Sequence, residues 1–305
     1  MKRFVLAVTL LALLPLAASA QGLVDELQGM SVTVKSDAGQ GSGVLVTRKI
    51  GEKHFTFVWT AAHVVDANRA TREYIDPKTG GKKTAIEFHD AAVVQEFRQD
   101  GRRVGEVNID AKVLKYSDAE HGEDLALLQI RKTDFTANPG AKFYLDPALP
   151  PLGTELYHVG SLHGQFGSNS LTTGIMSQHG RVLNLSGSNG VVFDQTTATA
   201  FPGSSGGGVF LKNDGRYVGM LVRGSGEGFN FIVPTRRLHA WAKKVGVEWA
   251  VDPNVKTPDE ETLAKITIED EAAAAGQTVG KSEDAKAFPT LDIRRSVEQD
   301  YPMSP

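Results

Sequence analysis

The chain of 305 residues leaves room for one large or two modest domains, and 41% hydrophobic with 23% charged residues is the balance of a soluble globular protein. A formal net charge of -3 excludes a whole-molecule electrostatic case for binding nucleic acid or an anionic membrane. Cysteine is absent, which excludes disulfide bracing, thiol catalysis and a lipid-modified N-terminal cysteine, while 32 glycines suit a chain of short strands and tight turns.

Residues 1–20 read as a signal peptide. Lys2 and Arg3 form a positive start, Phe4 to Leu16 is an apolar run broken by Pro15, and Ala18-Ser19-Ala20 offers small residues for cleavage before Gln21. The run falls short of the roughly 20 apolar residues that span a bilayer. Export to the periplasm or the medium is therefore expected, with no membrane insertion after cleavage.

From Met30 the pattern is strand after strand: 31–35, 43–46, 55–59, 85–88, 91–97, 107–114 and 125–130, with Gly, Asp and Asn between them. Pro139 to Pro151 interrupts as a linker. Strands resume at 155–159, 171–176, 182–185, 191–196, 209–211, 217–222 and 229–233. This spacing predicts an all-β body of two antiparallel barrels, about 30–135 and 152–234, within a domain spanning 21–250. A closing helix is expected over 235–245, capped by Thr235 and stopped by Gly246. A second helix is expected from Thr257-Pro258-Asp259-Glu260 to Ala275, with Thr257 as its cap, inside a helical or flexible acidic tail over 251–305.

Three segments carry candidate chemistry. Trp59-Thr60-Ala61-Ala62-His63-Val64-Val65 puts a histidine just after an apolar strand. Glu123-Asp124-Leu125-Ala126-Leu127-Leu128 puts an acid at the mouth of another. Gly203-Ser204-Ser205-Gly206-Gly207 puts a serine among glycines between strands. A serine hydroxyl is a weak nucleophile and needs a base within reach, a task for His63. Asp124 would fix the imidazole tautomer, and the amides of Gly203 and Ser205 would aim at a developing oxyanion. The serine segment also fits the G-x-S-x-G elbow of α/β-hydrolases, with Asp214 or Glu227 and then His239 following. That elbow needs a helix after the serine, and here Val209-Phe210-Leu211 is a strand.

With His, Asp and Ser in this order and context, the chain resembles the trypsin-like peptidases, and more narrowly the protease domain of HtrA/Deg-type proteases. The resemblance covers residues 30 to 245 and includes Thr173-Gly174-Ile175-Met176-Ser177 and Phe229 to Pro234. It implies a chymotrypsin-like pair of six-stranded barrels, hydrolysis of peptide bonds and protein or peptide substrates. It also implies a primary specificity pocket lined by Thr199, Ala200 and Phe201 on one side and Leu221, Val222, Arg223 and Gly224 on the other. Thr199 stands where trypsin-type enzymes carry a pocket-floor aspartate, so small or medium apolar side chains are expected there. Gly224 would leave the entrance open, and Arg223 at the rim faces either solvent or an acidic substrate residue. Ser204 stands where digestive relatives hold an aspartate that pairs with a newly cut N-terminus, so that route of activation loses its basis. The stretch after Gly246 is too short and too helical for the PDZ domain usual in HtrA-type proteins. Segments like Leu23 to Met30 make subunit contacts in HtrA-like trimers, so a homo-oligomer is a further expectation.

No cofactor is expected, and His54, His89, His121, His158, His163, His179 and His239 form no metal-ligand grouping with acids. The rival from another class is a protease fold retired to binding or scaffolding. All three triad residue types and the oxyanion glycine are present, so the sequence carries no lesion that favours it.

Overall fold

Alternating apolar runs on each side of the proline-rich linker close on themselves, which removes the open edges a lone sheet would present. The computed structural model describes residues 14–268 apart from 100, 120, 121, 137, 184–189 and 225–227. A helix, α1 (Leu14–Gly29), leads into β1 (Ser31–Lys35), β2 (Gln40–Ile50), β3 (Lys53–Thr60) and the single-turn α2 (Ala62–Val65). Next come β4 (Arg69–Ile75), β5 (Lys82–Phe88), β6 (Ala91–Gln99), β7 (Arg102–Ser117) and β8 (Leu125–Ile130). Barrel one has the order β1-β2-β3-β8-β7-β6 and closes where Thr33 pairs with Val94.

The strand expected at 85–88 is not part of that barrel. It belongs to β5, which among the described residues pairs only with β4, as a separate two-stranded ribbon. Tyr74 and Ile75 are exposed on β4, so that strand lacks the buried face that would mark it in the sequence.

Barrel two contains β9 (Glu155–Leu162), β10 (Gly167–Leu183), β11 (Val191–Thr196), β12 (Gly208–Leu211), β13 (Tyr217–Gly224) and β14 (Asn230–Pro234), in the order β10-β11-β14-β13-β12-β9. The two runs expected at 171–176 and 182–185 are one strand through residue 183. Its partner β11 accommodates it with register shifts between Met176 and Arg181.

α3 (Thr235–Lys244) seals the far side. Its N-cap position is Pro234 rather than Thr235, whose hydroxyl donates instead to Tyr217 O at 2.8 Å. Gly246, at φ +75°, ends the helix as expected: Val247 N–H bonds back to Ala242 O at 2.8 Å.

The chain after Gly246 packs on barrel one. Trp249 meets Phe57 edge-on at 4.9 Å, Trp59 Nε1–H donates to Ala250 O at 3.3 Å, and Arg48 Nε–H donates to Trp249 O at 2.8 Å. Helix α4 is shorter than expected, Glu260–Ala264, because Asp259 rather than Thr257 caps it, accepting from Thr262 N–H at 2.7 Å. Thr257 Oγ1 turns to Lys49 O, and the expected stretch 269–275 lies outside the described residues.

At the other end, α1 runs across the expected cleavage point. Leu27 and Met30 are buried in this chain's own core, and Gln28 Nε2–H donates to Asn169 O of barrel two at 2.7 Å. Among the described residues no helix is long and apolar enough to cross a membrane.

Candidate active site

β3 is buried along its last six residues and stops at Thr60, whose hydroxyl donates to Ser42 O at 2.7 Å. The chain turns there into α2, which buries Ala62, Val64 and Val65 and leaves His63 facing the groove between the barrels. His63 Nδ1 lies 3.0 Å from both carboxylate oxygens of Asp124, and His63 N–H donates to Oδ1 at 3.1 Å. A carboxylate only accepts, so Nδ1 carries the proton and Nε2 is left as the acceptor.

Asp124 is buried and sits at φ +55°, a left-handed conformation uncommon for a residue with a side chain. The loop before it is held from the other barrel. Arg237 on α3 donates from Nε to Glu123 Oε2 at 2.5 Å, from Nη2 to Glu123 O at 2.5 Å and from Nη1 to Val192 O at 2.8 Å. Its guanidinium also lies over the Phe193 ring at 4.7 Å.

The serine loop runs from β11 to β12 with Gly203 at φ +92° and Gly206 at φ +88°. A Cβ on Gly206 would lie 2.0 Å from Ser42 O, so the close approach admits only glycine. Ser42, on β2, binds the loop twice: its N–H donates to Ser205 O and its hydroxyl to Gly203 O, each at 2.7 Å. Ser204 closes a small turn, donating from its N–H to Phe201 O at 2.9 Å and accepting from Phe201 N–H at its Oγ at 3.1 Å.

The amides of Gly203 and Ser205 find no acceptor among the described residues. The Ser205 hydroxyl faces Val222 O at 3.5 Å, and among the described residues no hydrogen bond joins it to His63. The arrangement thus brings His63 and Asp124 together, while Ser205 stands in the same groove without touching His63. Such contacts are often long before substrate binds.

Beside Ser205 lies a cleft of about 590 Å³. Its lining includes Thr199, Ala200 and Phe201 on one side and Leu221, Val222, Arg223 and Gly224 on the other. Asn230 on β14 also lines it, with Nδ2–H donating to Ala198 O at 2.7 Å. A second cleft of about 240 Å³ is lined by His63 and Ser205 together with Gln40, Val64 and Gly203.

Beneath the serine loop His158 is fully buried. Its Nδ1–H donates to Gly208 O at 3.1 Å, while Nε2 has no partner among the described residues. Burial pushes its pKa down to about 4, against a smaller opposing effect of the bond to Gly208. The ring is therefore neutral at pH 7. Among the described residues no group of three or more His, Asp or Glu side chains could hold a metal ion.

A family model described as trypsin-like peptidase domain matches residues 41–220, which contain His63, Asp124 and Ser205. The chain belongs to the trypsin-like peptidase family. No curated protein is a significant match by sequence. Among solved structures, a serine endoprotease from Yersinia pestis is similar at 23% identity and a TM-score of 0.50, over 74% of this chain and 65% of its own. This chain thus spans just under two thirds of that protein's length. The Rv3671c protease of M. tuberculosis in an inactive form is similar at 17% identity and a TM-score of 0.51, over 75% of this chain and 95% of its own. At these identities the likeness carries the fold alone.

Four residues of this peptidase-family site escape a sequence reading: Ser42, His158, Asn230 and Arg237. Their partners are distant in the chain, by 161 residues for Ser42 with Gly203 and 114 for Arg237 with Glu123. Only the excess of glycines at 160, 203, 206, 207 and 208 hinted that several side chains crowd the serine loop.

Proposed function

We propose that this chain is an exported serine endopeptidase in which Ser205 is the nucleophile, His63 the general base and Asp124 the residue that orients the base. The observation that carries the reading is the His63–Asp124 pair facing Ser205 across one groove, beside two clefts and two unengaged amides. Ser205 Oγ attacks the scissile carbonyl carbon while His63 Nε2 takes the hydroxyl proton. The carbonyl oxygen gains negative charge and meets Gly203 N–H and Ser205 N–H. As the C–N bond breaks, His63 returns the proton to the leaving amine. Water, deprotonated by the same imidazole, then attacks the acyl carbon; the bond to Ser205 Oγ breaks and the imidazolium returns the proton to that oxygen.

The 590 Å³ cleft would take P1, the side chain next to the scissile carbonyl. Ala200, Phe201, Leu221 and Val222 make its walls apolar and among the described residues no carboxylate lines it, which supports a preference for small or medium apolar residues. Export rests on the leader pattern, and N-terminal sequencing of the mature protein should begin at Gln21.

Labelling with a fluorophosphonate probe tests the chemistry. The wild-type protein should label and digest casein, and Ser205→Ala should do neither, with activity falling by about 10⁴-fold or more. A folded wild-type protein that never labels would leave the binding-scaffold reading in its place.

A further inference from the structure

Two arginines stand beside the candidate active site, and their circumstances differ. Arg237 is engaged by Glu123 and Val192, as described above. Arg223, near the end of β13, has no hydrogen bond and no ion pair among the described residues, and its Nε is buried without a partner. It also lines the 590 Å³ cleft together with Ser205.

The two cations are within electrostatic reach of each other. Burial is the main cause lowering the Arg237 pKa, Glu123 opposes it, and the charge of Arg223 adds a further depression. Among the described residues the carboxylates beside this pair are already committed, Glu123 to Arg237 and Asp124 to His63. Partial burial of a guanidinium without a counterpart is unfavourable. A carboxylate supplied by the ligand would relieve it.

Strand geometry says where that carboxylate belongs. β12 pairs with β13 only as far as Met220, and Leu221 still bonds to Gly206 and Gly207. β14 covers the other edge of β13 out to Gly224. Among the described residues one edge is therefore unpaired from Val222 to Gly224, on the side of Ser205, whose hydroxyl reaches Val222 O. An extended peptide pairing antiparallel along that edge, with its scissile carbonyl at Ser205, sets P1 opposite Val222. P2, the residue before P1, then lies opposite Arg223. Directly opposed residues of an antiparallel pair present their side chains on the same face.

We infer that Arg223 selects substrates carrying an acidic side chain at P2, an inference that rests on the endopeptidase reading. Specificity then has two parts, an apolar pocket for P1 and one cation for its neighbour.

The test uses paired octapeptides with alanine or valine at P1 that differ only in Glu or Gln at one position. For the wild-type protein kcat/KM should favour Glu at P2 by about tenfold, and the preference should shrink in high salt. In Arg223→Gln the Glu/Gln ratio should fall to about one. Because each ratio is taken within one protein, differences in folding or basal activity cancel. Binding of the same peptides to Ser205→Ala, read by fluorescence anisotropy, needs no turnover and should show the same preference. A Glu preference in binding with no cleavage at all would keep the recognition and remove the protease reading. Equal ratios in the wild type and Arg223→Gln, or a larger effect of a carboxylate at P1 or P3, would overturn the inference even if fluorophosphonate labelling succeeds.

Discussion

The serine loop and the acid loop are each held by the opposite barrel, but by different physics. Ser205 belongs to barrel two and is tied by Ser42 of barrel one through short bonds to two backbone carbonyls. Asp124 belongs to barrel one and is tied through Glu123 by Arg237 on the helix that closes barrel two. The first clasp is neutral and works by close approach, so its weak point is steric. The second is a long charged side chain, so its weak point is the loss of one guanidinium. Both brace the groove between the barrels from across it.

The sharpest way to break this contrast is to add one methyl group. In Gly206→Ala the new Cβ would meet Ser42 O at 2.0 Å and Thr60 Oγ1 at 2.4 Å, at a φ of +88° that alanine disfavours. Overpacking and left-handed strain together should cost about 4 kcal/mol. Chemical denaturation should show that loss, and fluorophosphonate labelling should disappear with it. A variant as stable and as reactive as the wild type would mean that the loop shifts freely and that Ser42 does not lock it.

What a sequence reader can and cannot see follows the same division. His63, Asp124 and Ser205 are legible because each adjoins a strand whose apolar alternation is local, and the glycines around Ser205 announce backbone crowding. The closed barrels follow from the regular spacing of such strands. Arg237 and Ser42 are invisible because their value lies in contacts made across the barrel interface, and an arginine on an amphipathic helix looks like any solvated one. The β4–β5 ribbon is half legible: the run at 85–88 reads as a strand, but β4 buries so little that no period of two marks its partner. At α4, Thr257 and Asp259 are both competent caps. Asp259 takes the role, and the threonine hydroxyl donates to Lys49 O instead.

Acid should sharpen the contrast, because the serine side carries a buried base with no counter-charge. His158 has a pKa of about 4 when folded and, when unfolded, the ordinary 6.5. Above pH 6.5 both states are neutral and its contribution to stability is fully present. Between 6.5 and 4 the unfolded chain takes up a proton that the folded one refuses, so stability falls as pH falls, by about 3 kcal/mol in all. Below 4 this residue adds no further loss. Urea titrations across that window should show a slope that flattens in His158→Gln, whose amide can still donate to Gly208 O. An unchanged slope would assign the acid sensitivity to other groups.

The smallest effect concerns the acid loop. Arg237→Gln removes the fork that holds Glu123 O, the carbonyl immediately before the left-handed Asp124, while the bonds from Glu123 N–H to Ser117 Oγ at 2.7 Å and from Asp124 N–H to Asp118 O at 3.3 Å remain. The loop should therefore loosen rather than unfold, and Asp124 should hold His63 less firmly. A misplacement approaching 1 Å near reacting groups costs up to about 10²-fold, so a fall in kcat of about thirtyfold is expected, with KM moving less. Arg237→Lys keeps the charge but cannot bridge three acceptors, and it should recover only part of the rate. The low-field proton resonance of His63 Nδ1 separates positioning from general destabilisation. It should weaken in Arg237→Gln while the thermal midpoint stays near that of the wild type. If rate and resonance are both unchanged in the folded variant, the acid loop is held by barrel one alone and the two halves of the site are not cross-braced alike.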